Sequence, residues 1–275
     1  MTESRVVRIE ARPGLRMPDI EELTRSRDLL YLLAWRDVKV RYKQTALGAL
    51  WAVLQPVLTM VVFSLIFGRV GDVPSDGVPY PVFSLAGLVI WTYFSTGLIQ
   101  SSTSLVNNLP LVTKVYFPRI VLPAAALFAG LVDLAISLVV LAAVLGAYGV
   151  APSVRIVWAP VMIVVGIVAA FGVSAGLGAM NVRYRDVRYV LPFLVQLWLF
   201  LTPVAYPASL LREPWHTLIG INPMAGAVEG FRWSVAGTNS NPLGPVLVSV
   251  ASSLVLLFIG LVYFARAERS FADVA

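Results

Sequence analysis

Cysteine is absent from this sequence, which excludes disulfides, thiolate metal sites and thiol nucleophiles and leaves the redox compartment undetermined. Charge is scarce too: Asp, Glu, Lys and Arg make up 13% of the residues, against roughly a quarter in a soluble domain. No Gly-Lys dipeptide occurs, so the phosphate-cradling loop G-x-x-x-x-G-K-[ST] is missing and ATP is not bound by that route. Histidine occurs once, at His216. With no second His or Cys at metal spacing it is read as an exposed loop residue, and no metal site is assigned. The first 46 residues hold ten Lys or Arg and no early apolar core, so no removable signal peptide is expected.

What the chain has instead is hydrocarbon. Hydrophobic residues make up 58% of it and its mean hydropathy is +0.81, so lipid is the expected solvent. Six apolar stretches occur at about 49–67, 82–106, 120–146, 157–180, 189–204 and 246–264. About 20 residues at 1.5 Å rise cross a hydrocarbon layer about 30 Å thick, and the fifth stretch reaches that length only barely. The formal charge is +6, yet the basic residues bracket apolar runs and form no single basic face, so no nucleic-acid partner is expected. Placing the N-terminus inside puts 17 of the 21 Lys and Arg in cytoplasmic segments and leaves Arg69, Arg155, Arg212 and Arg232 outside. An even number of crossings then puts Arg266 and Arg269 inside as well.

The expected fold is all-α and integral to the membrane. A cytoplasmic arm (1–24) precedes an amphipathic interface helix (25–46), a six-helix transmembrane domain (47–265) and a cytoplasmic tail (266–275). Arg5, Arg8, Arg12 and Arg16 in the arm fit a short helix or a loose strand of chain equally well. In the interface helix, Leu29, Leu32, Leu33 and Val40 are expected on one side, with Arg36, Lys39, Arg41 and Lys43 reaching water. Between the fifth and sixth stretches, Pro207, Pro214, Pro223 and Pro242 break the chain into pieces too short to cross. Pieces at 210–220 and 225–236 are expected as short re-entrant helices of an external gate at 206–245. Backbone of that kind survives at depth only when buried in protein or lining a wet cavity.

Single residues carry several alternatives. Gly172, Ser174 and Gly176 match G-x-S-x-G, but an elbow nucleophile needs a strand-to-helix turn; inside an apolar helix the two glycines read as a small-xxx-small packing pair. Asp133 sits mid-way along the third stretch, where a bare carboxylate is costly and needs a partner, and that partner is not legible. Trp91, Tyr93, Phe94 and Trp198 lie deeper than the interfacial belt usual for such residues. Gln100 shares the face of Tyr93, and Phe193, Gln196 and Phe200 share another. Rings beside amides suit sugars, and plain helix packing needs the same residues. Arg36, Lys39, Arg41 and Lys43 fit either a portal for a lipid-linked pyrophosphate or ordinary anchoring.

The runs WRDVKVRYKQTALGALWAVLQP (Trp35 to Pro56), NLPLVTKVYFPR (Asn108 to Arg119), NVRYRDVRYVLPF (Asn181 to Phe193) and TPVAYP (Thr202 to Pro207) resemble the permease subunit of polysaccharide-exporting ABC transporters of the O-antigen and teichoic acid type. The resemblance covers about 28–264 in order. It implies a homodimer on two separate ATPase subunits, which bind the ATP and Mg, while this chain carries no cofactor and is no enzyme. It also implies a lipid-linked glycan as substrate and a bacterial plasma membrane as location. Within the segment 107–118, Asn108, Leu109, Pro110, Leu111, Val112, Thr113, Lys114, Val115, Tyr116 and Phe117 resemble the family's coupling helix. Tyr206, Trp215, Glu229 and Arg232 fall in the resembling gate region, where Glu229 and Arg232 are expected to pair at a surface. Rival readings are a drug-efflux permease of the same superfamily, a membrane enzyme acting on lipid-linked sugars, and a channel or structural protein that needs no ATP.

Overall fold

The computed structural model describes residues 26–43, 50–268 and 271. The arm with Arg5, Arg8, Arg12 and Arg16, the expected start of the first span at Ala49, and Arg269 lie outside the described residues. Among those described, the elements are helical and no strand occurs. In order they are α1 (Arg27–Lys43), α2 (Leu50–Phe63, continued as a π-helix over Ser64–Val70), α3 (Tyr80–Asn107), α4 (Leu109–Lys114), α5 (Val121–Ala147), α6 (Ala159–Arg183), α7 (Val187–Leu201), α8 (Trp215–Leu218), α9 (Pro223–Ala236) and α10 (Leu243–Ala267).

Among the described residues, five helical stretches are long and apolar enough to cross a membrane: Leu50–Val70, Tyr80–Asn107, Val121–Ala147, Val154–Arg183 and Leu243–Ala267. They coincide with five of the six expected stretches. The remaining one, α7, is an apolar helix of 15 residues, about 22 Å long at 1.5 Å per residue. Prolines set several boundaries. Pro79 precedes α3, Pro223 opens α9 and Pro242 precedes α10, positions where a missing amide hydrogen costs nothing.

The most buried of the membrane-length helices is α3, enclosed by α5, α6 and the almost wholly buried α9. Val82, Leu85, Phe94 and Leu98 of α3 join Met224, Val228 and Phe231 of α9 in one apolar core. A second cluster lies at one end of the bundle, where Leu33 of α1, Val112 of α4, Ala179 of α6 and Phe264 of α10 meet. Helices α6 and α10 run parallel: Met162 and Val246 both lie against Gly230, Gly172 faces Leu257, and Ala179 and Phe264 share the second cluster.

The G-x-S-x-G run lies inside α6, as helix packing requires and a nucleophile elbow forbids. A Cβ on Gly172 would sit 2.5 Å from the Leu257 amide nitrogen, and one on Gly260 would strike the Gly172 backbone. Ser174 is spent on a 2.8 Å hydrogen bond with Ser101 of α3. The motif is therefore the point where two parallel helices approach backbone to backbone.

Two expectations about the stretch before α10 separate here. The expected helix at 225–236 appears as α9, capped at its start by the Asn222 side chain, which accepts the Met224 amide hydrogen. The expected helix at 210–220 is replaced by short turns: Ala208–Leu210, the single turn of α8, and Ile219–Ile221. Pro214 interrupts it, as proline does by removing a donor and restricting its predecessor.

Candidate functional site

Two groups of charged side chains turn into the apolar bundle. The first ties α1 to the spans. Arg41 donates to Asp133 of α5 through one guanidinium nitrogen and to Gln100 of α3 through another, while the Tyr42 hydroxyl donates to the second Asp133 oxygen. The partner that Asp133 requires is thus the end of the interface helix, 92 residues earlier in the chain. Burial lowers the Arg41 pKa from its ordinary value, with Tyr42 and Asp37 acting in the opposite sense; arginine starts so high that it remains charged.

Two cavities share Arg41 and Gln100 as a common wall. One, of about 410 Å³, is lined by Arg36, Asp37, Thr103, Ser104, Asn107 and Asn108 among others. Its neighbour, of about 270 Å³, is lined by Tyr42, Gln55, Thr92, Thr96, Asp133 and Ser137 with Trp51 and Pro56. Together they run from the start of α4 to the middle of the spans, with hydroxyls, amides and charged groups set in a largely apolar wall and the Arg41 side chain dividing them.

The expectation for α1 needs correction on this point. Leu33 is buried, but Leu32 and Val40 are exposed and Arg41 turns inward. Leu33, Asp37 and Arg41 stand four apart and share one helical side, so the inward face carries its cation with it. Arg36, Lys39 and Lys43 are the exposed members of the four. Arg36 pairs with Asp37 at 2.8 Å, and Lys39 lies over the Trp35 ring.

The second polar cluster is the pair expected at a surface, and it is fully buried instead. Arg232 has no exposed area and Glu229 only 1%. Their side chains meet at 2.8 Å. Arg232 also donates to the Phe83 carbonyl (3.1 Å) and the Val204 carbonyl (2.9 Å) and lies over the Phe83 ring. Glu229 accepts the Ala208 amide hydrogen at 3.0 Å. One pair thereby joins α9, the start of α3 and the chain following α7. The room for it comes from Gly87, where a Cβ would occupy the space of the guanidinium. The other two expected gate residues differ: Trp215 is exposed, and the Tyr206 hydroxyl donates to the Phe200 carbonyl at 3.3 Å.

The deep aromatics divide into two sets. Trp91, Tyr93 and Phe94 are buried in the core of α3. Phe94 meets Trp198 edge-on at 5.1 Å, and the Trp198 ring nitrogen donates to Asn222 at 2.9 Å. The Tyr93 hydroxyl donates to the Leu127 carbonyl. Packing accounts for the depth of all four, and Tyr93 and Trp198 each satisfy their polar tip as well. Phe193, Gln196 and Phe200 lie instead on the exposed side of α7, so the two sets do not share a surface within one chain.

At the end of α3, Asn108 starts a tight turn by accepting the Leu111 and Val112 amide hydrogens. The short helix α4 is pinned by buried Val112, which leaves Pro110, Thr113, Lys114, Val115 and Tyr116 exposed, Tyr116 at 80%. Leu109, Leu111 and Phe117 are partly covered. Beyond them the Arg119 guanidinium donates to the Glu268 carbonyl, tying this corner to the end of α10.

Sequence reasoning missed Tyr42, Gln55, Thr92, Thr96, Ser137 and Gly87. The spacing of Leu33, Asp37 and Arg41 was the available signal for the first cluster, because a cation on the buried side of one helix and an acid in a neighbouring span need each other. Nothing comparable marks Gly87.

Residues 28–235 match the ABC-2 type transporter family. The O-antigen export system permease protein RfbA of Myxococcus xanthus is 30% identical over 258 residues, covering 92% of this chain and 98% of the relative. A Klebsiella pneumoniae protein of the same name is 28% identical, covering 90% and 95%. The polysialic acid transport protein KpsM of Escherichia coli is 25% identical, covering 86% and 92%. With its helical spans, its inward-turned polar groups and a family match over most of its length, the chain belongs to the ABC-2 type transporter family.

Proposed function

We propose that this chain is the permease of an ATP-driven exporter that carries a lipid-linked polysaccharide from the inner leaflet toward the outside of a bacterial plasma membrane. The observation that carries the reading is nearly end-to-end similarity to permeases named for O-antigen export. The relative named for polysialic acid transport extends the substrate to glycans of differing chemistry. The hydroxyls and amides set along the two cavities between α1, α3 and α5 support it, because a glycan offers many hydrogen bonds. Phe193, Gln196 and Phe200 on the exposed side of α7 are the members of the ring-and-amide set free to meet sugar.

Six crossings with both ends inside agree with the parallel run of α6 and α10. The chain between them must return across the bundle, and α7 with the extended residues after it is the segment available to do so. Leu33 and Phe264, near the two ends of the chain, share one cluster, and Arg36, Lys39, Lys43, Lys114 and Arg266 gather in the elements at that end, as a cytoplasmic face requires. Arg36, Lys39 and Lys43 offer charge for a lipid-linked pyrophosphate, with Arg41 released to it when Asp133 lets go. In the gate, Glu229 and Arg232 serve as the fixed anchor and Tyr206 and Trp215 as the outward part.

ATP and Mg are handled by two partner ATPase subunits beneath a pair of these chains, and α4 is the contact. Its exposed Lys114, Val115 and Tyr116 form a small projecting surface held from behind by Val112. Lys114→Glu should leave the permease inserted while export falls on the order of tenfold, the effect of about 1.4 kcal/mol at a contact, with ATP hydrolysis by the partner persisting. Export and hydrolysis in reconstituted vesicles measure this, and unchanged export by that variant would remove α4 from the coupling role.

A further inference from the structure

At the end of the bundle away from α1, an apolar groove of about 520 Å³ runs between α6, α9 and α10. Trp158, Val161, Met162, Trp233 and Leu247 line it, with Asn241 as a polar member. Beside it stands Arg155, whose guanidinium lies 4.9 Å from the Trp233 ring. The residue is held on the 3₁₀ turn Val154–Trp158, where the Ser153 side chain accepts its amide hydrogen at 3.3 Å. Arg155 is exposed, and among the described residues no carboxylate pairs with it.

Helices α6 and α10 are both long and apolar enough to cross the membrane, so a groove between their outward sides faces acyl chains. Two tryptophans at its wall are of the type that settles at headgroup level. A cation without an anion, stacked on one of those rings beside an apolar slot, is complementary to a lipid phosphate with its tail below. We infer that this groove holds one anionic phospholipid of the bilayer, its phosphate on Arg155 and one acyl chain along Trp158, Met162 and Trp233. A second copy of the chain fits less well. A two-fold contact through this patch would bring two Arg155 side chains together and bury them without an acid, which is costly. The inference does not depend on what the transporter exports.

Native mass spectrometry of the full chain in detergent, titrated with dioleoyl phosphatidylglycerol, dioleoyl phosphatidylcholine and dioleoylglycerol, tests it. One phosphatidylglycerol molecule should be retained, with a preference over dioleoylglycerol on the order of tenfold, the size of one charge-assisted contact, and a smaller one over phosphatidylcholine. Arg155→Ala should abolish the preference, and Val161→Trp, which fills the slot, should weaken retention of all three. Wild-type chain without headgroup preference, or both variants retaining lipid as wild type does, would overturn the assignment. Because the chain has no cysteine, Leu247→Cys is a single clean probe. Disulfide-linked dimers in membranes would give the groove to a second copy instead, whereas a monomeric thiol agrees with lipid.

Discussion

Arg232→Leu should leave little folded permease in the membrane. The side chain is wholly buried, and its guanidinium satisfies Glu229 and the carbonyls of Phe83 and Val204 together. Removing it leaves a buried carboxylate without its counter-charge and takes a donor from two carbonyls in an apolar core, and breaking a buried pair in this way costs about 3–5 kcal/mol. That is a large part of the stability of most domains. Arg232→Lys should fail nearly as badly, since a single ammonium lacks the planar fork that reaches three acceptors at once. Glu229→Gln keeps an oxygen for the Ala208 amide and for Arg232 and should cost less, leaving the cation short of its counter-charge. Arg212→Ala, an exposed arginine of the same stretch, should behave as wild type. Thermal aggregation of detergent-solubilised protein followed by size-exclusion chromatography reads all four, and an Arg232→Leu chain that melts with the wild type would refute the anchoring role.

A second large effect is expected where α1 meets the spans. Arg41 and Asp133 are 26% and 34% exposed in their side chains, so this pair lies between a surface bridge and a buried one. Losing a hydrogen bond to a charged group costs about 2 kcal/mol, and Arg41→Ala removes the Asp133 and Gln100 contacts together. Export should fall on the order of tenfold or more, and α1 should become easier to cleave by protease. Asp133→Asn should be milder, because the amide can still accept from Tyr42. The double variant separates contact from charge: if the damage in Arg41→Ala comes from a stranded carboxylate, adding Asp133→Asn should restore most of the export. Equal loss in the single and double variants would show that Arg41 acts on something other than Asp133.

Much of the architecture is legible in the sequence because lipid imposes a length. Runs such as Val121–Ala147 and Leu243–Ala267 have no other economical structure in hydrocarbon, and five of the six expected stretches appear as helices long enough to cross. What escapes is whatever depends on a partner distant in the chain. Glu229 and Arg232, three apart, read as a local surface pair because local spacing reveals the pairing and says nothing of depth. Their depth is set by Phe83, Gly87, Val204 and Ala208, none of which is near them in sequence. Trp91 and Phe94 carry rings that suit either a sugar or a core. Only the arrival of Trp198 from α7, held by Asn222 at the cap of α9, shows that the chain uses them for packing. Arg41 reads as one of the cations reaching water, although its place eight residues, in two four-residue steps, after Leu33 puts it on the inward face. The helical context of the G-x-S-x-G run marks it as a packing motif, and the backbone approach of Gly172 and Gly260 agrees.

Nucleotide turnover by the purified chain in lipid nanodiscs, with and without an added ATPase subunit, bears most directly on the claim that this protein is a passage driven by a partner. Expected is background hydrolysis from the chain alone, and hydrolysis coupled to movement of a lipid-linked glycan once the partner is present. Turnover that scales with the amount of this chain in the absence of any partner would contradict it.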